Sequence, residues 1–408
     1  MGKSKSPDPP SLQKYGFPLY SAAWVPLREV RSKLQSQDHQ QSDGKDKDSS
    51  EESTPPPADQ QAIADEYYVV LTGGGGEGRS GIPNAIVLAR FDFATNTLSA
   101  QPVAKLGLGS DVPYRMVVHP AGDGLICALP KSCRYFDWIE VKDNDNLKLD
   151  LKESGKVLNQ LEDIGMQLAL AFNSDSSALA VGGEDGILRV FKWPNMEIIL
   201  EETEAHPSLK DLCFSPDGNF LVSLGGRRPG RVWDLTSSTA VASLSREDDE
   251  VFASCRFSES SDQSRVLYIA AITDKGGSIL KWDTNSWKRI SSKHITRDPV
   301  SSLDVSPDGK FLASGTIQGD VMLINSISMR VQTVIKEAHI GVVTALAFSH
   351  DSRALLSASL DASARVTLVE DKKSGAGGGS SLWITIFIIL IAIAAYFMKN
   401  EGLLPFFS

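Results

Sequence analysis

Apolar and polar positions alternate along the chain from about residue 65 to residue 370, and the alternation comes in repeated units. Each unit holds an alternating segment, a tight turn and a second alternating segment; four of them are residues 170–181, 212–223, 303–314 and 346–357. Two of the turns read Ser-Pro-Asp-Gly, a composition that favours a hairpin between antiparallel strands. An apolar residue at every second position gives a strand one face for a core. The pattern therefore predicts a series of β-hairpins.

The spacing of these units indicates how the hairpins assemble. Apolar anchors recur at intervals of about 42 to 48 residues: Phe172, Phe214, Phe257, Val305 and Phe348. This interval is the length of a four-stranded propeller blade. Third strands are predicted at residues 188–193, 231–235, 279–283, 321–325 and 364–368, and two of them contain Trp-Asp, as WD repeats do. With two less regular units at 67–106 and 116–157, the sequence predicts an all-β fold, a seven-bladed WD-type β-propeller.

The segments before the repeats predict how the ring closes. Residues 15–26 contain an isolated apolar strand, which we expect to pair as the outer strand of the last blade and so remove an open edge. Residues 1–14 form a polar tail before it. Residues 27–64 are polar, acidic and largely without apolar spacing, so we expect a disordered insertion there. The propeller itself is predicted to span residues 65–370.

The C-terminal segment predicts a membrane anchor. Residues 371–381 are a Gly/Ser linker, and residues 382–398 contain no charged side chain over about the length that crosses a bilayer. Trp383 and Tyr396 stand near the two ends, where interfacial aromatics occur. Lys372 and Lys373 precede the span, which favours a cytosolic N-terminal side. We therefore expect a single-pass protein with its propeller in the cytosol and residues 399–408 as a short lumenal tail.

The composition of the chain excludes several classes of function. The net charge of −10 argues against nucleic-acid binding, since such surfaces are basic. The four cysteines form no C-x-x-C pair, which argues against a zinc site, and no N-glycosylation acceptor is present. His206 and His339 each follow an alanine where WD repeats keep a structural histidine, and Asp361 is the predicted partner of His339. No cluster typical of covalent catalysis remains, so we expect a binding or regulatory protein.

One segment does not fit the hairpin pattern. Residues 73–84 read GGGGEGRSGIPN and join two strand-like segments in the first blade. The string satisfies G-x-G-x-x-G, but a strand follows it, whereas a dinucleotide site needs the N-terminus of a helix. No Gly-Lys-Ser/Thr follows, which excludes a P-loop. Glycines instead allow unusual backbone conformations and a close approach of carbonyl groups to an ion or a partner.

The glycine run Gly73–Gly76, the closing Gly-Ile-Pro-Asn and the predicted anchor together resemble one family. It is the family of endoplasmic-reticulum exchange factors for Sar-family GTPases, which includes the prolactin regulatory element-binding protein. The resemblance implies that the loop binds a potassium ion, which prefers carbonyl oxygens. The implied potassium-binding residues, mainly through their backbone, are Gly73, Gly74, Gly75, Gly76, Glu77 and Asn84. The implied GTPase-contacting residues are Ile82, Pro83 and Asn84, with Asn84 required for exchange.

The resemblance also implies a reaction without covalent chemistry. The loop would bind the GTPase best when the nucleotide site of the GTPase is open, and by linkage this preference weakens the binding of GDP. The activated GTPase would then start COPII coat assembly at the endoplasmic reticulum. Expected partners are a Sar-family GTPase and the membrane, with coat or cargo proteins beside them. One alternative is a non-exchanging adaptor that helps membrane cargo, such as a phosphate transporter, leave the endoplasmic reticulum. Another is a generic membrane-bound scaffold. The intact Gly-Ile-Pro-Asn favours exchange.

Overall fold

Seven four-stranded units form the fold, as the repeat spacing predicts. The computed structural model describes residues 8–42, 66–78, 80–143, 146–259 and 265–370. Blade 1 contains β2 (Leu19–Trp24), β3 (Tyr67–Gly73), β4 (Ala85–Asp92), β5 (Thr97–Leu98) and β6 (Ala104–Gly107). Both β5 and β6 pair with β4, so the fourth strand of this blade is split in two. The other six blades are regular.

Blades 2 to 4 follow in chain order. Blade 2 contains β7 (Arg115–Val118), β8 (Gly124–Ala128), β9 (Cys133–Asp143) and β10 (Asn146–Glu153). A short 3₁₀ turn (Asn159–Leu161) precedes blade 3, which contains β11 (Gln167–Phe172), β12 (Ala178–Gly183), β13 (Leu188–Lys192) and β14 (Glu197–Glu202). Blade 4 contains β15 (Asp211–Phe214), β16 (Phe220–Leu224), β17 (Gly230–Asp234) and β18 (Thr239–Leu244).

The last three blades complete the ring. Blade 5 contains β19 (Val251–Glu259), β20 (Arg265–Thr273), β21 (Gly276–Asp283) and β22 (Lys288–Thr296). Blade 6 contains β23 (Val300–Val305), β24 (Phe311–Thr316), β25 (Val321–Asn325) and β26 (Val331–Ile335). Blade 7 contains β27 (Val343–Phe348), β28 (Ala354–Ser359), β29 (Ser363–Leu368) and, as its outer strand, β1 (Leu12–Lys14).

The core lies between neighbouring blades. Innermost strands contact one another around the ring, and β2 touches both β7 and β27. The second strands are buried on both faces; every residue of β12 and of β28 is buried. Between blades 7 and 1, Leu356 and Val366 pack with Leu71 and Phe91. Burial of both sheet faces explains why these strands are almost continuously apolar.

The prediction for the closing strand is wrong in its residues. The outer strand of blade 7 is β1, in which Leu12 pairs with Arg365 and Lys14 with Ser363. The apolar strand expected there, residues 15–26, instead provides β2, the innermost strand of blade 1. An inner strand is buried between blades and must be apolar, whereas an outer strand is half solvated and tolerates Gln13 and Lys14. The polar tail assigned to residues 1–14 therefore includes the strand that closes the ring.

The insertion predicted as disordered begins with a helix. Helix α1 (Leu27–Ser42) follows β2 directly. Leu27 and Val30 are buried against blades 1 and 2, and Leu34 packs beside them. Only these three apolar residues mark the buried face of a polar helix, which is a weak sequence signal. The rest of the predicted insertion, residues 43–64, lies outside the described residues.

The predicted anchor also lies outside the described part of the chain. The structure divides into two units, residues 1–368 and 369–408. The linker at 371–381, the span at 382–398 and the tail at 399–408 all belong to the second unit, beyond the last described residue. Among the residues that the structure describes, no helix is long and apolar enough to cross a membrane.

The antiparallel strands give the ring two distinct faces. Because strand direction alternates, links from second to third strands emerge on the same face as links between blades. We call this the loop face, since the glycine loop between β3 and β4 lies on it. Links from first to second strands emerge on the opposite face, which therefore carries α1. The final strand, β29, also ends on the opposite face.

Candidate functional site

The glycine loop joins β3 to β4 and is pinned at its base. The Gly74 N–H donates to the Pro18 carbonyl at 3.0 Å, just before β2 begins. A Cβ at Gly73 would lie 1.9 Å from the same oxygen, so no larger residue fits there without movement. Gly76 and Gly81 have φ of 95° and 76°, conformations that favour glycine. The run of glycines thus permits both the close packing and the turns of this loop.

Asn84 closes the loop from within. Its side chain is only 4% exposed. Its Nδ2 group donates to the carbonyl of Gly76 at 3.2 Å and to that of Gly109 at 3.0 Å. The Asn84 carbonyl in turn accepts from the Leu108 N–H at 2.9 Å. One amide therefore ties the glycine run to the connection between blades 1 and 2, and in this conformation it supports the loop from beneath.

The other amide atom of Asn84 has a different environment. Its Oδ1 is buried and has no hydrogen-bond partner among the described residues. A Cβ at Gly74 would lie 2.0 Å from this oxygen, so the absence of a side chain at Gly74 leaves room beside it. Burying an amide oxygen without a partner costs about 1–3 kcal/mol. This unpaired amide oxygen and the carbonyl oxygens of the glycine run are both uncharged oxygen donors.

This donor set suits a monovalent cation such as potassium. Potassium accepts carbonyl and amide oxygens in place of its hydration shell. The Gly74 carbonyl already accepts from Tyr20 and the Gly76 carbonyl from Asn84, but each carbonyl oxygen has a second lone pair. Glu77 is exposed, on the solvent side of the loop. Within the described ranges, no group of three His, Cys, Asp or Glu side chains is placed to hold a metal ion.

Two tyrosines support the base of the loop. The Tyr20 hydroxyl donates to the Gly74 carbonyl at 3.1 Å, and its ring lies 5.5 Å from that of Tyr114. Burial raises the pKa of both phenols, and the negative charge of Glu77 adds to the rise of the Tyr114 pKa. Tyr20 therefore remains a protonated donor at neutral pH.

The tip of the loop faces solvent. Ile82 is 40% exposed and Pro83 beside it is also exposed. The Ile82 N–H donates to Ser80 Oγ at 3.2 Å. A Cβ at Gly75 would lie 2.6 Å from the Ile82 Cβ, so the loop folds back on itself only because Gly75 has no side chain. The apolar pair Ile82–Pro83 is thus presented outward on a backbone fixed by Asn84.

The two predicted structural histidines lie in blades 3/4 and 6/7, in networks separate from the loop. His206 is buried, and its Nε2 lies 2.9 Å from Ser223 Oγ, which also accepts from Trp233 Nε1 at 2.9 Å. Burial, with a smaller contribution from Arg231, lowers the pKa of His206 to about 4. The ring is therefore neutral at physiological pH.

His339 is also buried and is held by two hydroxyls. Its Nδ1 lies 2.7 Å from Ser363 Oγ and its Nε2 lies 2.8 Å from Ser357 Oγ. Its predicted partner Asp361 is 3.8 Å from Nδ1 and reaches the ring through Ser363, whose hydroxyl donates to the carboxylate. Asp361 also accepts from the Ile340 N–H at 2.7 Å. These contacts fasten the connection between blades 6 and 7 to blade 7.

Comparison with known proteins places the chain in a family. It is 51% identical over 397 residues to SEC12-like protein 2 of Arabidopsis thaliana, with 97% of this chain and 98% of the relative covered. The chain belongs to the SEC12-like family. It is also 31% identical to SEC12-like protein 1 of Arabidopsis thaliana, covering 78% of this chain and 80% of the relative. This result confirms the family resemblance drawn from the loop and the predicted anchor.

More distant similarities agree with it. This SEC12-like chain is 25% identical to the guanine nucleotide-exchange factor SEC12 of Rattus norvegicus, over 64% of this chain and 68% of the relative. The model of the WD domain, G-beta repeat, matches residues 164–192, 287–325 and 330–367. These matches fall in blades 3 and 5 to 7. The blade that carries the glycine loop lies outside them.

Several residues that shape the SEC12-like loop were not predicted. Tyr20, Pro18 and Gly109 all contact it, yet none lies in the glycine motif. Pro18 and Tyr20 are more than fifty positions earlier in the sequence, and Gly109 is twenty-five positions after Asn84. Nothing in their local sequence signals these contacts, because the pairing of β2 with β3 and the end of blade 1 create them.

Proposed function

We propose that this chain is a guanine nucleotide exchange factor for a small GTPase of the Sar family. The proposal is supported by a relative named as an exchange factor and by a rigidly closed loop with an exposed apolar tip. The observation that carries it is the buried Asn84 amide, which holds the glycine run and the base of blade 1 together beneath Ile82 and Pro83. The protein is thus regulatory and forms no covalent intermediate.

The mechanism is differential binding. Ile82 and Pro83 contact the GTPase, and they contact it best in the conformation whose nucleotide site is open. A ligand that prefers one conformation shifts the equilibrium toward it by its difference in affinity. By linkage, the same coupling energy weakens GDP binding. A loop already ordered by Asn84 loses less conformational entropy on binding, so more of the contact energy goes into opening the GTPase.

A potassium ion completes the loop in this proposal. Asn84 Oδ1 and carbonyl oxygens of the glycine run, Gly73 to Gly76, would hold it, with Glu77 near enough along the chain to add negative charge. The ion would supply a positive centre that binds several loop carbonyls at once. The chain's own residues contribute an uncharged oxygen set, and Tyr20 fixes the direction of one member, the Gly74 carbonyl.

The endoplasmic-reticulum membrane is the proposed place of action. The apolar segment 382–398 is the proposed anchor, with the propeller on the cytosolic side. Confinement to one membrane raises the local concentration of a membrane-associated GTPase and limits activation to that surface. Activation of the GTPase there would start assembly of the COPII coat.

The test measures release of fluorescent GDP from a Sar-family GTPase in the presence of the full-length chain in detergent micelles. We expect acceleration by the wild type and loss of most of it in Ile82→Asp, because a charge at the tip opposes an apolar contact. Ile198→Asp is the matched control, since Ile198 is 58% exposed in the outer strand β14 of blade 3, two blades from the loop. Intrinsic release rates with the wild type would refute exchange activity. Equal rates for the two variants would refute the role of the tip.

A further inference from the structure

Several exposed apolar side chains lie on the loop face. Four of them belong to consecutive blades: Ile82 in blade 1, Leu360 in blade 7, Ile340 between blades 6 and 7, and Ile317 in blade 6. Their exposed fractions are 40%, 41%, 69% and 39%. Single exposed apolar residues are ordinary on protein surfaces, but neighbouring ones mark interaction sites.

Strand direction places all four on one face. The loop with Ile82 and the turns with Ile317 and Leu360 each join a second strand to a third, in blades 1, 6 and 7. Ile340 lies in the connection from blade 6 to blade 7. Both kinds of link emerge on the loop face. Since β27 of blade 7 contacts β2 of blade 1, the four positions form an arc along adjacent blades.

Backbone hydrogen bonds hold the blade 6 and blade 7 turns together. The Leu360 N–H donates to the Val342 carbonyl at 3.2 Å, two residues after Ile340. The His339 N–H donates to the Gly319 carbonyl at 3.1 Å, two residues after Ile317. The Ile340 N–H is bound by Asp361. We call these three connected turns, with Ile317, Ile340 and Leu360, the blade 6/7 patch.

The patch is continuous with the glycine loop. The Tyr15 N–H donates to the carbonyl of Ala362 in the blade 7 turn at 3.0 Å, and the Pro18 carbonyl accepts from Gly74 at 3.0 Å. Only residues 15–18 connect the two sites, and four extended residues reach about 13 Å at most. The base of the loop therefore lies within this distance of the blade 7 turn that carries Leu360.

The glycine loop alone is too small to form a whole interface with a protein partner. Among the described residues of the loop, 77, 78 and 80–83 are exposed, whereas a stable protein interface uses about 20–30 residues on each side. On the other side of the ring, the second-to-third-strand turns are charged, with Glu184 and Asp185 in blade 3, Arg227 and Arg228 in blade 4, and Asp274 and Lys275 in blade 5. The apolar core of an interface is depleted in charge. The blade 6/7 patch therefore suits an extension of the apolar contact made by the loop tip.

We propose that the blade 6/7 patch is a second docking surface for the small GTPase, and that it binds an apolar area of the GTPase while the glycine loop acts on the nucleotide site. This inference rests on the proposed exchange function. The patch supplies affinity and orientation, and the loop supplies the differential binding that opens the site. Loss of the patch therefore weakens association more than it changes the rate of the bound complex.

The test compares Ile340→Asp, Leu360→Asp and the double variant with Ile327→Asp as the matched control. Ile327 is 80% exposed in a third-to-fourth-strand turn of blade 6, on the opposite face. Binding of each full-length protein to nucleotide-free Sar-family GTPase is measured by biolayer interferometry, with GDP release at saturating protein as the second readout. We expect the double variant to bind at least about tenfold more weakly, with near wild-type release at saturation and an unchanged melting temperature, and Ile327→Asp to behave as the wild type.

The outcomes separate this inference from the proposed function. If the wild type neither binds the GTPase nor accelerates release, the exchange function itself is wrong. If the wild type accelerates release and the double variant binds as tightly as the wild type, only the docking surface is wrong. A change in sedimentation of the protein alone, without a change in GTPase binding, would assign the patch to contact between copies of this chain and overturn the inference. A lower melting temperature of the double variant is checked against Ile340→Gln and Leu360→Gln, which keep the size of the side chains without a charge.

Discussion

Asn84→Asp separates the hydrogen-bond donation by Asn84 Nδ2 from the presence of an oxygen at Oδ1. The substitution keeps the shape of the side chain and an oxygen at Oδ1 but replaces the Nδ2 donor by an acceptor. Both hydrogen bonds to Gly76 and Gly109 are lost, and a carboxylate oxygen then faces two carbonyl oxygens. Each such hydrogen bond contributes about 0.5–1.5 kcal/mol. The closed loop should therefore lose about 1–3 kcal/mol, a factor of roughly 5 to 150 in its opening equilibrium.

Amide hydrogen exchange measures this opening directly. We expect exchange of the amides between residues 74 and 84 to rise by that factor in Asn84→Asp, with blade cores unchanged, and GDP release to fall in parallel. Asn173→Asp is the matched control, since Asn173 is 5% exposed, donates to Ser177 and lies in a turn of blade 3 on the opposite face. Wild-type loop exchange in Asn84→Asp would refute the reasoning. An equal rise in Asn173→Asp would assign the effect to general destabilisation.

Four further predictions test the loop and its surroundings. Gly74→Ala should displace Asn84, because the new Cβ would lie 2.0 Å from Asn84 Oδ1, and should abolish most of the acceleration of GDP release. Gly78→Ala, with no atom within 4 Å of its Cβ, should accelerate GDP release as the wild type does. Tyr20→Phe removes the donor to the Gly74 carbonyl, so loop amides should exchange faster by roughly 2- to 10-fold, the effect of one hydrogen bond, in the same measurement. Replacing potassium by sodium at constant ionic strength should lower both GDP release and loop protection, and equal values in the two salts would remove the ion from the mechanism. Because burial lowers the His206 pKa to about 4, below the ordinary value of 6.5, the unfolded state binds the extra proton first as pH falls. Stability should therefore decrease by up to about 3 kcal/mol between pH 6.5 and pH 4, and urea unfolding should show a shallower pH dependence in His206→Asn.

The propeller was predictable because its blades repeat. Alternating strands, Asp-Gly turns and a constant period specify the same blade several times, so errors at single positions do not matter. The closing strand was not predictable, because β1 has only three residues and two of them are polar. Residues 15–26 carry a stronger apolar signal, but that signal reports burial between blades and does not identify the partner strand. Helix α1 was missed because three apolar residues suffice to dock it.

The candidate site was also only partly predictable from the sequence. The glycine motif identified the loop, and its last residue, Asn84, was predicted to be essential through a GTPase contact. In the structure, Asn84 is buried and the exposed tip consists of Ile82 and Pro83, so its contribution in this conformation is to hold the loop. Burial of one amide depends on the connection after β6, which no local pattern reveals. The contribution of Tyr20 likewise depends on the unexpected position of β2.

The most direct test of the central claim is stopped-flow release of fluorescent GDP from a Sar-family GTPase, with excess GTP and increasing amounts of the full-length chain. The account predicts that the release rate rises with the concentration of the chain and saturates, and that Asn84→Asp lowers the plateau. A release rate equal to the intrinsic rate at every concentration, with a correctly folded wild-type protein, would contradict it.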